Sequence, residues 1–223
     1  MSSIKNAVIA AAGLGSRLGL GMPKAMISVN NSTILGRLID MLSEHVENIV
    51  VVVGYREELI AEYCQNHYRH VILVRNPDYA TTNTAQSMEM GAQYLQGKTI
   101  FLDGDLLVEK KSLATFISLA SRKDLLLGVA MLKTEQPVYA SCMQQDDDYL
   151  AIHSFSRTEK SPYEWANLFV GDSAVLNNAK GYVFEKLAEN SNLLAAIINV
   201  EEIDTPEDLK RSEMVIREWD NNL

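Results

Sequence analysis

A chain of 223 residues with 47% hydrophobic and 22% charged residues has the balance of an ordinary globular protein and enough apolar material for a real core. Its formal net charge of −9 argues against a nucleic-acid partner, which calls for a clustered basic face, but leaves room for a small phosphorylated ligand neutralised by a few cations or a metal. No apolar run approaches the roughly 18 residues that cross a bilayer, and the start Met1-Ser2-Ser3-Ile4-Lys5-Asn6 lacks signal-peptide architecture, so no membrane partner is expected.

Ala7 to Ala12 is apolar and stops at Gly13, reading as a buried first strand followed by a loop. Thr33 to Val46 places Ile34, Leu35, Leu38, Ile39 and Leu42 on one helical stripe, with Ser32 or Thr33 available as N-cap. Asn48 to Gly54 is a β-branched run and reads as a second buried strand. The alternation continues through a helix at 56–64, a strand at 71–74, a helix at 84–95, a strand at 99–102, a helix at 111–121 and a strand at 125–132. Residues 139–143 and 149–153 flank Gln144-Gln145-Asp146-Asp147-Asp148 and read as a hairpin, followed by strands at 168–175 and 196–200 and helices at 183–188 and 206–219. Strands alternating with helices predict an α/β fold with a mainly parallel, doubly wound sheet covered by helices on both faces, plus a small hairpin subregion for an acceptor. No linker or repeat divides the chain, so residues 1–223 are read as one domain. Ligands of such sheets gather beyond the carboxyl ends of the strands, which directs attention to the loops after Ala12, Val53, Val74 and Leu102.

The first loop reads Ala11-Ala12-Gly13-Leu14-Gly15-Ser16-Arg17-Leu18, with Pro23-Lys24-Ala25 shortly after. Its glycines let backbone N–H groups approach a triphosphate, and Arg17 and Lys24 bring fixed positive charge. A dinucleotide-binding turn is rejected, because Leu18 stands where that fingerprint needs Gly or Ala, and Gly19, Gly21 and Pro23 keep the segment irregular. Gly97-Lys98-Thr99 only imitates a P-loop, since it runs from helix to strand. The compound pattern of Ala11 to Leu18 with Pro23-Lys24-Ala25 resembles the signature of nucleotidyltransferases of the MobA-like and nucleotide-sugar pyrophosphorylase type, a group that includes bacterial choline-phosphate cytidylyltransferases. The resemblance implies a Rossmann-like fold, with Ala12, Gly13, Leu14, Gly15 and Ser16 holding the nucleotide and Arg17 and Lys24 acting at the reacting phosphates.

Phe101-Leu102-Asp103-Gly104-Asp105 places two carboxylates after an apolar strand, a suitable place for magnesium, which takes hard oxygen ligands. By resemblance Asp105 matches the family's metal ligand, while Asp103 supports it or contacts the nucleotide. The segment Glu202-Ile203-Asp204-Thr205-Pro206-Glu207-Asp208 resembles the family's closing segment. Thr205 is a good N-cap, Pro206 fits the first turn and Glu207 and Asp208 complement the dipole, which leaves Asp204 as the second metal carboxylate.

Val53-Gly54-Tyr55 and the stretch from Asn76 to Ser87 resemble the choline-phosphate cytidylyltransferase branch, implying nucleotide contacts from Gly54, Tyr55, Asn83 and Ser87. Asn83 is equally suited to cap the helix after it. Only Gly19-Leu20-Gly21-Met22 separates Leu18 from Pro23, a short gap that resembles cytidylyltransferases acting on alcohol phosphates or phosphonates and tilts the donor towards CTP. In the segment 157–171, Arg157 and Lys160 are candidates for the acceptor's phosphate and Tyr163, Glu164 and Trp165 for a cationic head group, against a plain packing role for Trp165 and a solvated role for the charges. The expected reaction transfers a nucleoside monophosphate from an NTP, CTP foremost, to a small phosphorylated or phosphonate acceptor such as phosphocholine or 2-aminoethylphosphonate, with Mg²⁺ as cofactor. The competing expectations are a sugar-1-phosphate nucleotidylyltransferase using dTTP, UTP or GTP, and a non-catalytic nucleotide-binding regulator.

Cys64 and Cys142 are far apart and lack CxxC spacing, which suits a reducing cytoplasm. Cys64, His67 and His70 do not converge on one point of a helix, so no zinc site is expected. No GxSxG elbow or nucleophilic cysteine pattern supports hydrolase chemistry. A monomer or homodimer is expected.

Overall fold

The computed structural model describes residues 3–15, 21–203 and 205–221. In chain order the strands are β1 (Asn6–Ala10), β2 (Ser28–Val29), β3 (Ser32–Thr33), β4 (Asn48–Val53), β5 (Ile72–Arg75), β6 (Lys98–Asp103), β7 (Leu106–Val108), β8 (Leu126–Met131), β9 (Tyr139–Gln144), β10 (Leu150–Ser156), β11 (Tyr163–Asp172), β12 (Leu194–Ile197) and β13 (Val200–Glu202). The helices are α1 (Ile34–Ser43), α2 (Glu57–His67), α3 (Thr84–Ala92), α4 (Lys110–Ala120), α5 (Val183–Leu187) and α6 (Pro206–Asn221).

A nine-stranded sheet in the order β5-β4-β1-β6-β11-β8-β12-β10-β9 organises the chain. Its first half, β5-β4-β1-β6, is wholly parallel, with Val8 opposite Val50 and Phe101. Alternation along these strands sends side chains into two cores, and both are apolar because both faces are covered. Ile9, Val51 and Leu102 enter the core beneath α1, α2 and α4, while Val8, Val52 and Phe101 enter the one beneath α3. α3 lies so close to the sheet that a Cβ on Gly91 would fall 2.6 Å from Val52 Cγ2 and 2.7 Å from Val8 Cγ1.

The second half of the sheet is mixed. β11 runs antiparallel between β6 and β8, β12 is parallel to β8, and the β9–β10 hairpin closes the edge. β11 also starts earlier than the expected 168–175, at Tyr163, so Glu164 and Trp165 belong to a central strand. Its register against β8 shifts between Trp165 and Phe169, where Asn167 takes a left-handed φ of 54°. Such a bulge interrupts the period-2 pattern by which a strand is recognised. Across β6 and β11 the rings of Phe101 and Phe169 stack with centroids 4.7 Å apart.

Two short ribbons were not expected from the sequence. β2 and β3 pair through Asn30 and Asn31, both at positive φ (48° and 66°), a turn that asparagine tolerates. β7 and β13 pair antiparallel, Leu106 opposite Glu202, and so bring the chain just after Asp105 beside the chain just before residue 204. No helix among the described residues is long and apolar enough to cross a membrane.

Candidate active site

A cleft of about 390 Å³ opens beyond the carboxyl ends of β1 and β6, against the first turn of α3. Ala12, Gly13, Leu14, Gly15, Lys24, Asn83, Ser87, Asp103 and Asp105 all line it. Ser16, Arg17 and Asp204 lie outside the described residues.

The glycine loop leaves β1 held on both sides, by Ala11 N–H donating to Val52 O (2.9 Å) and by Gly104 N–H donating to Ala10 O (2.9 Å). Gly15 adopts φ +58°, a conformation that side chains resist. Gly13 is different: its φ is ordinary, and a Cβ there would meet nothing within 4 Å. Glycine at 13 therefore leaves bare backbone on the wall of the cleft. At the far end of the loop Arg56, itself left-handed at φ 50°, donates to Gly21 O at 3.0 Å.

Pro23 opens a 3₁₀ turn, Lys24–Met26, closed by Ile27 N–H donating to Lys24 O at 2.9 Å. Ala25 is buried beneath it. With Pro23 presetting the backbone and Ala25 filling the core, Lys24 is left to project into the cleft, where Nζ lies 2.8 Å from Asp105 Oδ2. Asp103, at the end of β6 and level with Ala10 of β1, stands on the same wall.

The α3 side of the cleft rests on Asn76, which is fully buried. Its Nδ2 donates to Thr82 Oγ1 and Ser87 Oγ, both at 2.9 Å, and its Oδ1 accepts from Asp78 N–H at 3.0 Å. Asn83 caps α3 reciprocally with Gln86, and its Nδ2 donates to Gly181 O at 2.6 Å. The capping reading of Asn83 is thus realised, and one amide N–H remains for a ligand. Asn76→Ala should remove three hydrogen bonds at once and cost about 2 kcal/mol, lowering the thermal midpoint by roughly 5 °C and weakening nucleotide binding through Ser87 and Thr82. Thermal unfolding paired with NTP titration checks both effects.

Gly54 and Tyr55 do not line the cleft. Gly54 packs behind it, where a Cβ would fall 2.7 Å from Tyr79 Cβ and 2.9 Å from Ala12 O, and Tyr55 N–H donates to Ala12 O at 3.1 Å. Tyr79, Thr82, Thr84 and Tyr182 do line it, and sequence reasoning missed them as contacts. Tyr79, Thr82 and Thr84 lie inside the stretch quoted for the resemblance. Tyr182 stands in no motif; the Asn83–Gly181 hydrogen bond, which joins residues 98 positions apart, brings its segment beside α3, so only folding reveals it.

A second cleft, of about 550 Å³, lies between the 133–138 loop, β11 and the start of α6, and Arg157, Glu164 and Trp165 line it. Lys160 is exposed and lines neither cleft. Glu164 is buried and committed: it accepts from Lys133 N–H (3.1 Å), Thr134 N–H (3.3 Å) and Thr134 Oγ1 (2.7 Å), shaping the loop. Trp165 is buried among Phe155 and Phe169, which makes it wall and core together. The remaining charges of this cleft are largely paired. Buried Glu201 holds Lys133 (2.7 Å) and Arg211 (3.2 Å), and Arg211 also reaches Asp208 at 2.8 Å. Asp208 in turn accepts from Thr205 N–H and Oγ1, and Thr205 Oγ1 accepts from Asp208 N–H, so Thr205 caps α6 as expected.

The features set aside in the sequence stay outside both clefts. Burial pushes the thiols of Cys64 and Cys142 up to about 11, so neither supplies a thiolate at neutral pH. Among the described residues no group of three or more His, Cys, Asp or Glu gathers as a metal cluster.

The chain is 38% identical over 108 residues to a 2-aminoethylphosphonate cytidylyltransferase of Lancefieldella rimae, covering 46% of this chain and 44% of that protein. It is 35% identical over 109 residues to a CMP-5'-(3-aminopropyl)phosphonate synthase of Streptomyces rubellomurinus, covering 46% of this chain and 17% of that one. The matched segments thus span less than half the length of these relatives. The fold superposes on the inositol-1-phosphate CTP transferase of T. maritima with a TM-score of 0.77 and 18% identity, covering 98% of each chain. Residues 7–152, more than half of the chain and all of the strands that frame the first cleft, match one family, and the protein belongs to the MobA-like NTP transferase domain family.

Proposed function

We propose that the protein is a magnesium-dependent cytidylyltransferase that transfers CMP from CTP to a small phosphonate or phosphate-ester acceptor and releases pyrophosphate. The observation that carries this reading is the meeting, in one cleft, of the open backbone at Gly13, the Lys24–Asp105 pair and the first turn of α3. Its relatives' names supply the acceptor class, and both name aminoalkylphosphonates or their CMP conjugates. Residues 1–223 act in this reading as one catalytic domain.

An acceptor oxygen attacks the α-phosphorus in line, a new P–O bond forms, and the bond to the bridging oxygen breaks as pyrophosphate leaves. Near neutral pH a phosphate ester with a second pKa of about 6 is already largely a dianion, so no protein base is needed. The chain's task is alignment and charge neutralisation. Backbone N–H groups of residues 12–16 cradle the triphosphate, Arg17 and Lys24 offset charge on the reacting phosphates, and Asn83 and Ser87 contact the nucleoside. The carboxylates of Asp103 and Asp105 supply the hard oxygen donors that suit magnesium, which takes one or two carboxylates beside phosphate and water oxygens. Asp105 and Asp204 would hold the ion, and when bound it neutralises phosphate charge. The β7–β13 pairing supports this assignment, because it brings the chain on either side of the two aspartates together.

The second cleft receives the acceptor. Its mixed lining, with Lys133, Arg157 and Arg211 against Glu135, Glu202 and Glu207 beside Trp165, suits a molecule with an anionic and a cationic end. Pyrophosphate release should be measured with each NTP against 2-aminoethylphosphonate, phosphocholine, polyol phosphates and hexose 1-phosphates. Turnover with CTP and an aminoalkylphosphonate or phosphocholine is expected. Turnover confined to a hexose 1-phosphate with dTTP or UTP would replace this reading, and tight NTP binding without pyrophosphate from any acceptor would favour a regulator.

A further inference from the structure

We propose that Tyr182 is a positioning residue that joins the two clefts, holding Arg157 where the acceptor's oxyanion meets the nucleotide. The inference rests on the cytidylyltransferase reading and goes beyond it by assigning a residue that no motif contains.

Tyr182 is half exposed, so it is not a core residue, yet the peptide group that leads into it is held at both its oxygen and its nitrogen. Gly181 O accepts from Asn83 Nδ2 at 2.6 Å, and Tyr182 N–H donates to Glu185 Oε2 at 2.8 Å. The ring lines the nucleotide cleft and lies nearly parallel to that of Phe184, centroids 5.7 Å apart and planes 12° apart. Over this aromatic shelf sits the Arg157 guanidinium, 4.9 Å from the Tyr182 centroid and 5.6 Å from that of Phe184. Arg157 lines the other cleft.

A guanidinium resting on ring faces uses its π surface and keeps its N–H donors in the plane, at its edge. Other cations of the two clefts are committed to carboxylates: Lys24 to Asp105, Lys133 to Glu201, and Arg211 to Glu201 and Asp208. Among the described residues Arg157 has no carboxylate or carbonyl partner, so its donor edge is available for an oxyanion. Without the shelf a long arginine would sample many rotamers; with it the donor edge is held at the border of the clefts at little entropic cost. The Asn83–Gly181 hydrogen bond ties the same shelf to the cap of α3, which lines the first cleft.

The test is a double-mutant cycle read with CTP, magnesium and 2-aminoethylphosphonate. Arg157→Ala should raise the acceptor KM roughly tenfold while leaving the calorimetric Kd for CTP within about twofold. Tyr182→Ala should raise the acceptor KM by roughly five- to tenfold, and Tyr182→Phe, which keeps the ring, should restore it to within about twofold. The double variant should lose little more than Arg157→Ala alone, because both disable one unit. Additive losses, or a Tyr182→Phe variant as impaired as Tyr182→Ala, would overturn the inference. A readout apart from turnover is the Arg157 Nε–H resonance, assigned by its loss in Arg157→Lys. It should carry a ring-current shift that Tyr182→Ala reduces to the contribution of Phe184 and Tyr182→Phe keeps, and it should move when 2-aminoethylphosphonate is added to the CTP-bound protein. An unmoved resonance overturns the inference even if pyrophosphate release is intact, whereas absent pyrophosphate release with a shifting resonance counts against the proposed function alone.

Discussion

Exchanging Asp105 for asparagine should lower turnover by about two to three orders of magnitude and raise the magnesium concentration needed for half-maximal rate, with the fold intact. The substitution preserves shape and removes one charged oxygen donor. It also strips Lys24 of the carboxylate that lies 2.8 Å from its Nζ, which leaves a mostly buried ammonium with one anionic partner fewer. The sign of the effect on binding is therefore distinct from that on turnover: CTP measured without magnesium should bind as well as to the parent or better, because a repelling carboxylate is gone. Asp204→Asn should resemble Asp105→Asn, and the double variant should be far less impaired than the product of the two losses, since the proposed site sets both aspartates on one ion. Steady-state kinetics across a magnesium series, with circular dichroism as the control for folding, decides the matter. Near-normal activity and magnesium dependence in Asp204→Asn would leave that residue to the approach of α6 and make Asp103 the candidate for the missing ligand.

Gly13→Val should reduce CTP affinity at least about 100-fold with almost no change in thermal stability, whereas Gly54→Ala should destabilise the fold by roughly 1–3 kcal/mol. The two glycines stand at equivalent ends of neighbouring strands and look alike in sequence. A Cβ on Gly13 meets nothing within 4 Å, so a side chain there displaces no protein atom at its base and narrows the cleft that Gly13 lines. A Cβ on Gly54 falls 2.7 Å from Tyr79 Cβ and 2.9 Å from the backbone oxygen of Ala12, so the glycine loop itself must shift. Isothermal titration with CTP and thermal unfolding of both variants separate the outcomes. A Gly13→Val protein that binds CTP normally would remove the glycine loop from the nucleotide site.

How far the site was readable follows from how its parts are encoded. Gly13, Gly15 and the Asp103-Gly104-Asp105 turn follow buried strands directly, and Lys24 follows Pro23 a little further along the chain, so local composition and chain order were enough to nominate them, and all of them line one cleft. Asn83 offered two readings because the same amide serves a helix cap and a ligand, and the cap is seen with Gln86 as its partner. Glu164 and Trp165 were read as part of an acceptor-facing segment ahead of the strand expected at 168–175, yet they belong to β11, where a bulge around Asn167 hides the strand's alternation. Lys160 carries the right charge for an acceptor contact and still lies outside both clefts. Charge alone does not say which way a residue faces.

By itself the sequence determined the alternation of strands and helices, the parallel half of the sheet and the glycine loop after β1, because each depends on hydrophobic period, glycine placement and residues close along the chain. The tertiary structure alone decided the antiparallel insertion of β11, the β7–β13 ribbon beside Asp105, and the shelf of Tyr182 and Phe184 beneath Arg157. These join residues tens to nearly a hundred positions apart, through pairings that local periodicity does not encode and that exist only once both faces of the sheet are buried.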